Sequence, residues 1–249
     1  MRVNDLLAAA LAGAGITLAI QASKTKKQLG MQLEMTQEEP LEIEGDHLSL
    51  IVMGDSLAFG LGADSYHDTP GAILSKYLSE NTGRRIKYKN IAQCGATSES
   101  LVEQTKVALT LNPHVVLMII GTNDITHAKS TRTGIRHLTR SIEALKNAGA
   151  EVYLVPCVDI SIVNSIGQPL RSLLGAVSKK YAKLQTIRAE ELGAQVIGYK
   201  PIKHHFICPT MFAVDRFHPS SKGYKIISEH IISCIGGNSE ISSRPADMG

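Results

Sequence analysis

Four short stretches of this 249-residue chain carry side chains that could together perform acyl transfer. Ser56 stands in Gly54-Asp55-Ser56-Leu57, directly after an apolar run. A serine at such a strand-to-helix turn has its hydroxyl lifted above the sheet edge, beside backbone N–H groups. Late in the chain, Asp215 precedes His218 by three residues, a spacing that lets a carboxylate bond the imidazole and fix its tautomer. Ser56 is then the nucleophile, His218 the base that takes its proton, and Asp215 the group that orients His218 and stabilises the imidazolium. A tetrahedral intermediate also needs donors aimed at its oxyanion. The backbone N–H of Ser56, the backbone N–H of Gly95 and the side chain of Asn123 are the candidates. Asp55 and Asp124 read as loop braces and not as proton carriers. The scheme requires a hydroxyl near the start of the domain to touch an imidazole near its end.

The elements that must bring these residues together follow from hydrophobic periodicity. Strands are predicted at Leu48–Met53, Ile86–Ala92, Val115–Ile120, Glu151–Pro156 and Gln195–Gly198. Helices are predicted at Pro70–Asn81, Ser98–Leu111, Arg132–Asn147, Pro169–Leu192 and Ser220–Cys234, with Ser98 as a cap and Pro70 in a first turn. Val115–Ile120 is apolar on both faces, as a central parallel strand must be. Five β-α repeats with right-handed crossovers imply a three-layer α/β/α sandwich, flavodoxin-like, around a parallel sheet of about five strands. In such sheets ligands sit beyond the carboxyl ends of the strands. Ser56, Gly95 and Asn123 each follow a predicted strand, and Asp215 and His218 precede the last helix.

Gly-Asp-Ser-Leu at 54–57, Gly95, Gly-Thr-Asn-Asp at 121–124 and Asp-Arg-Phe-His at 215–218 occur in the order of the four blocks of the SGNH (GDSL-type) hydrolases. From residue 48 to about 235 the chain resembles that family. The resemblance implies ester hydrolysis through an acyl-enzyme, with no metal and no cofactor. The second block departs from the pattern, because Ala92 stands where many members carry glycine. The Gly-x-Ser-x-Gly elbow of the larger α/β-hydrolases is absent, since Ala58 follows Leu57. Leu57, Leu61 and Leu101 are candidates to border an acyl pocket, and His127 to line the substrate site. Two rival readings keep the fold and change the function: a membrane-tethered binding module without turnover, and a flavin- or nucleotide-binding protein. His204-His205 lacks the carboxylate or cysteine spacing of a metal site.

Composition narrows the partners. Lysine and arginine number 26 against 23 acidic residues, and the charges are mixed, so no basic arm points to nucleic acid. A small-molecule, lipid or carbohydrate ester is the expected partner. Residues 6–22 carry no charge and are flanked by Arg2 and by Lys24, Lys26 and Lys27. Residues 1–28 therefore read as a signal or membrane-anchor segment, and the chain as membrane-associated or secreted. An acidic linker is assigned to 29–46, the catalytic domain to 47–236 and a loose tail to 237–249. Cys94, Cys157, Cys208 and Cys234 form no CxxC pair, and most are expected to be free thiols packed as small hydrophobes.

Overall fold

A computed structural model describes residues 47–236. The apolar segment, the acidic linker and the tail lie outside the described residues. Five parallel strands, β1 (His47–Gly54), β2 (Arg85–Asn90), β3 (Val115–Ile119), β4 (Glu151–Val155) and β5 (Gln195–Val196), form one sheet in the order β2-β1-β3-β4-β5. The helices are α1 (Ser56–Phe59), α2 (Pro70–Thr82), α3 (Leu101–Thr110), α4 (Thr122–Thr126), α5 (Thr131–Asn147), α6 (Leu170–Glu191) and α7 (Ser221–Ile235). This is an α/β fold with helices on both faces of the sheet.

β1, β3 and β4 alternate between two apolar faces, which is why their sequences lack a polar side. Leu48, Leu50, Val52, Leu117 and Tyr153 pack against Leu74 and Leu78 of α2 and against Tyr224, Ile227 and Ile231 of α7. Ile51, Met53, Val116, Met118 and Leu154 pack on the other face, against Leu138, Ile142 and Leu145 of α5, Ala108 of α3 and Ala189 of α6. Each fully buried Leu or Ile of this set contributes roughly 1.5–3 kcal/mol.

Two boundaries differ from the sequence reading for a local polar reason. β2 stops at Asn90 because the Asn90 carboxamide oxygen accepts the Ala92 N–H at 3.0 Å, turning the chain away. Ser98 does not cap an α-helix: residues 98–100 form a 3₁₀ turn and α3 begins at Leu101. The Ser98 hydroxyl is engaged elsewhere, 3.0 Å from Asp124 Oδ2 and 3.0 Å from the Tyr181 hydroxyl. The chain also winds into one-turn helices, α1 and α4, immediately beyond β1 and β3. There Gly54 of β1 is level with Ile119 of β3, so both turns leave the same edge of the sheet.

Candidate active site

Gly54 sets the exit from β1. Its φ of +130° is open to glycine, and a Cβ there would overlap the carbonyl oxygen of Ile119. Both polar groups of its peptide are held by one buried side chain: Gln104 Oε1 accepts the Gly54 N–H at 2.7 Å, and Gln104 Nε2 donates to the Gly54 carbonyl at 2.9 Å. Asp55 then caps α1, its Oδ1 accepting the Leu57 N–H at 2.9 Å. With the capping role filled by its neighbour, Ser56 is left as the first helical residue with its hydroxyl uncommitted to the backbone.

That hydroxyl donates to His218 Nε2 at 2.9 Å. On the other side of the ring, Nδ1 lies 2.6 Å from Asp215 Oδ2. Asp215 Oδ1 accepts the backbone N–H of Phe217 at 2.9 Å and of His218 at 3.0 Å, so both carboxylate oxygens hold the same tight loop. Burial pushes the Asp215 carboxyl up, but the His218 ring and these two N–H groups outweigh it, and the carboxyl is held below the usual carboxylate range. An ionised carboxylate can only accept, so Nδ1 carries the ring proton and Nε2 faces Ser56 with its lone pair. The loop is fixed by a bridge between Phe212 and Pro219 and by the Ala213 N–H donating to the His218 carbonyl at 2.8 Å. Tyr224 of α7 ties it to the α1 side, donating to the Leu61 carbonyl at 2.8 Å.

The two further oxyanion candidates come from the loops after β2 and β3. Gly95 is exposed, with φ +83° and open space where a Cβ would project. Asn123 is half-buried in α4, and its amide donates to the Ala96 carbonyl at 2.9 Å. This bond uses one of two amide hydrogens and fixes the plane of the other. The segment carrying Gly95 is held at three places: by Asn90 Nδ2 on the Ala58 carbonyl at 3.1 Å, by Asn123 on Ala96, and by Asp124 on Ser98.

Asp124 accepts the Ser98 N–H at 3.0 Å and the Ser98 hydroxyl at 3.0 Å, as a loop brace should. Burial pushes its carboxyl up against the pull of these bonds. Asp55 is buried more completely. Desolvation drives its carboxyl up to about 7, opposed by the N–H groups of Leu57, Thr122 and Gly121 and assisted by the negative charge of Asp124. Gln185 of α6, unmarked in the sequence reading, bridges two strand ends. Its Oε1 accepts the Cys157 N–H at 2.8 Å, and its Nε2 donates to the Ile120 carbonyl at 3.1 Å. Gln104, Gln185 and Tyr181 were legible only as polar residues on helix faces, and no local signal distinguishes them from solvated ones.

A cavity of about 580 Å³ opens beside the Ser56–His218 pair. Its lining includes Leu57, Thr122, Phe217 and Pro219, each adjacent in sequence to a candidate site residue. Phe217 also packs edge-on against the His218 ring, centroids 5.0 Å apart. Leu57 lines the cavity. Leu61 and Leu101 do not, because Leu61 is buried in the loop after α1 and Leu101 packs beneath the opposite face of the sheet. His127 is exposed, bonded through its backbone to Asn123, and does not line the cavity either. All four cysteines are free, but only Cys157 is packed inside; Cys94, Cys208 and Cys234 are exposed. Among the described residues no cluster of three metal-ligating side chains exists, and no helix is long and apolar enough to cross a membrane.

Comparison with known proteins bears on the family and the fold. A model of the GDSL-like lipase/acylhydrolase family matches residues 52–226. A GDSL-like esterase of Mycobacterium tuberculosis is 30% identical over an alignment of 189 residues that covers 72% of this chain and 59% of that protein. The chain therefore spans under two thirds of that relative's length. Among solved structures, the psychrotrophic esterase EstA from Pseudoalteromonas superposes with a TM-score of 0.59 at 19% identity, over 76% of this chain and 97% of that one. An acetyl-xylooligosaccharide esterase from Geobacillus gives a TM-score of 0.60 at 19% identity, over 78% and 96%. At such identities the two structures speak for the fold.

Proposed function

Because the chain belongs to the GDSL-like lipase/acylhydrolase family, we propose that it hydrolyses carboxylic esters through an acyl-enzyme formed on Ser56. Asp215 holds the His218 Nδ1–H, so Nε2 takes the Ser56 proton as Oγ attacks the ester carbonyl. The carbonyl oxygen becomes an oxyanion facing the N–H groups of Ser56 and Gly95 and the free hydrogen of the Asn123 amide. Collapse of the intermediate expels the alcohol, which receives the proton from His218 Nε2. Water, deprotonated by the same nitrogen, then releases the acid and restores Ser56.

One observation carries the reading: Ser56 Oγ and His218 Nε2 lie 2.9 Å apart although 162 positions separate them, with a depressed carboxylate behind the ring. Neither a capping serine nor a plain loop histidine needs that contact. Replacing Ser56 with Ala tests it. Turnover of p-nitrophenyl acetate and butyrate should fall on the order of 10⁴-fold or more, fluorophosphonate labelling should vanish, and the circular dichroism spectrum should be retained. Undiminished hydrolysis by the folded variant rejects the assignment. Residues 1–28 are proposed to direct the domain to a membrane or out of the cell, on the strength of the uncharged run at 6–22 and its basic flanks.

A further inference from the structure

The cavity beside Ser56 has apolar walls and a basic mouth. Val158, Ile162, Val163 and Phe206 line it, as an acyl chain or other apolar arm requires. Four lysines also line it: Lys179 and Lys183 from α6, and Lys200 and Lys203 from the loop after β5. Lys203 is paired with Asp159, the sole carboxylate in the lining. Burial pushes the Asp159 carboxyl up, yet the Lys203 ammonium and Ser161 outweigh it and hold it below the usual range, so that pair is neutral as a unit. Lys179, Lys183 and Lys200 have no carboxylate partner among the described residues, and all three are exposed. A lysine that lines a cavity and is also exposed runs its methylenes along the apolar wall and leaves its ammonium at the rim.

Lys179 and Lys183 are one helical turn apart and share a face of α6, so their ammonium groups converge on one region. Three uncompensated positive charges around a low-dielectric opening focus a field that attracts anions. A neutral acyl chain would gain nothing from it. We propose that the preferred substrate is an anionic amphipathic ester: the carbonyl at Ser56, an apolar arm filling the cavity, and an anionic group on that arm meeting Lys179, Lys183 and Lys200. This inference rests on the ester-hydrolase reading and adds to it the charge of the substrate.

The test uses the full chain and two matched series. Mono-p-nitrophenyl esters of adipic, suberic and sebacic acids carry a terminal carboxylate; p-nitrophenyl hexanoate, octanoate and decanoate have the same arms without it. For at least one arm length, kcat/KM should favour the anionic ester at least fivefold at low salt, and 0.5 M NaCl should erase most of that preference. In the K179E/K183E/K200E variant the ratio of anionic to neutral kcat/KM should fall at least tenfold, each ratio being taken within one preparation. Equal rates for the two series at every length, or a ratio untouched by the triple substitution, overturns the proposal while leaving ester hydrolysis intact. If neither series is turned over, the hydrolase reading fails. The basic mouth is then judged by calorimetric binding to the Ser56→Ala protein: tighter binding of monomethyl suberate than of methyl octanoate supports it, and equal binding overturns it.

Discussion

Asp55 is a fully buried carboxyl next to the proposed nucleophile, raised from 3.8 to about 7 chiefly because burial disfavours its charged form. The folded protein therefore binds a proton that the unfolded chain has released between pH 4 and 7. Stability linked to this group is fully present below pH 3.8 and is lost as pH rises towards 7. A displacement of about 3 units corresponds to roughly 4 kcal/mol in total, of which roughly 2–3 kcal/mol falls between pH 5 and 8. Asp55→Asn removes the titration while keeping an oxygen to accept the Leu57 N–H, so α1 remains capped. Urea unfolding followed by circular dichroism should show the variant gaining roughly 2–3 kcal/mol on the wild type from pH 5 to pH 8. Asp159 and Asp215 are held below the usual carboxylate range and titrate outside this window. Asp124, also raised by burial, remains in both proteins and largely cancels in the difference. A difference curve flat to within about 0.5 kcal/mol between pH 5 and 8 would refute the argument, because it would mean that the carboxyl is solvated or paired by something stronger than three backbone N–H groups.

Two further substitutions separate chemistry from architecture. Asn123→Ala should lower kcat about 100- to 1,000-fold, while the lost bond to the Ala96 carbonyl costs only about 1 kcal/mol of stability in urea titrations. Equal losses in activity and stability would make Asn123 a structural residue. Gln185→Leu should do the reverse, leaving the Cys157 N–H and the Ile120 carbonyl unpaired in the interior at a cost of roughly 2–5 kcal/mol. Its unfolding midpoint should fall far more than its kcat.

The layered fold was legible because its driving pattern is local. The doubly apolar runs of β1, β3 and β4, and the spacing of Tyr224, Ile227 and Ile231 in α7, report burial directly in the sequence. The strand order and the common edge at Gly54 and Ile119 follow once parallel pairing is granted. What pattern could not supply was the course of the chain beyond each strand. Ser98 has the chemistry of a cap, and only the three-dimensional neighbourhood reveals that Asp124 and Tyr181 claim its hydroxyl first. Leu101 has the same hydropathy as Leu57, yet one lies beneath the sheet and the other at the cavity, a distinction set by helix rotation. His127 follows Asn123 closely in sequence, but α4 ends at Thr126 and turns it outward.

The polar residues that were invisible share a physical role. Gln104 satisfies both halves of the Gly54 peptide, Gln185 joins the ends of β3 and β4, and Asn90 ties the Gly95 segment to α1. Gln104 and Gln185 compensate backbone groups where a strand breaks off to form a site, and Asn90 satisfies a carbonyl of α1. Such breaks are what place a serine, an exposed glycine N–H and an amide at one edge, so a sheet that positions reactive groups must also bury glutamines and asparagines to hold them. Asp55 belongs to the same set. By capping α1 it frees the Ser56 hydroxyl for His218, and the cost of its burial appears as the elevated carboxyl. The Gly-Asp-Ser order is in this sense one unit: the glycine turns the chain, the aspartate closes the turn, and the serine is left with its oxygen directed at the imidazole.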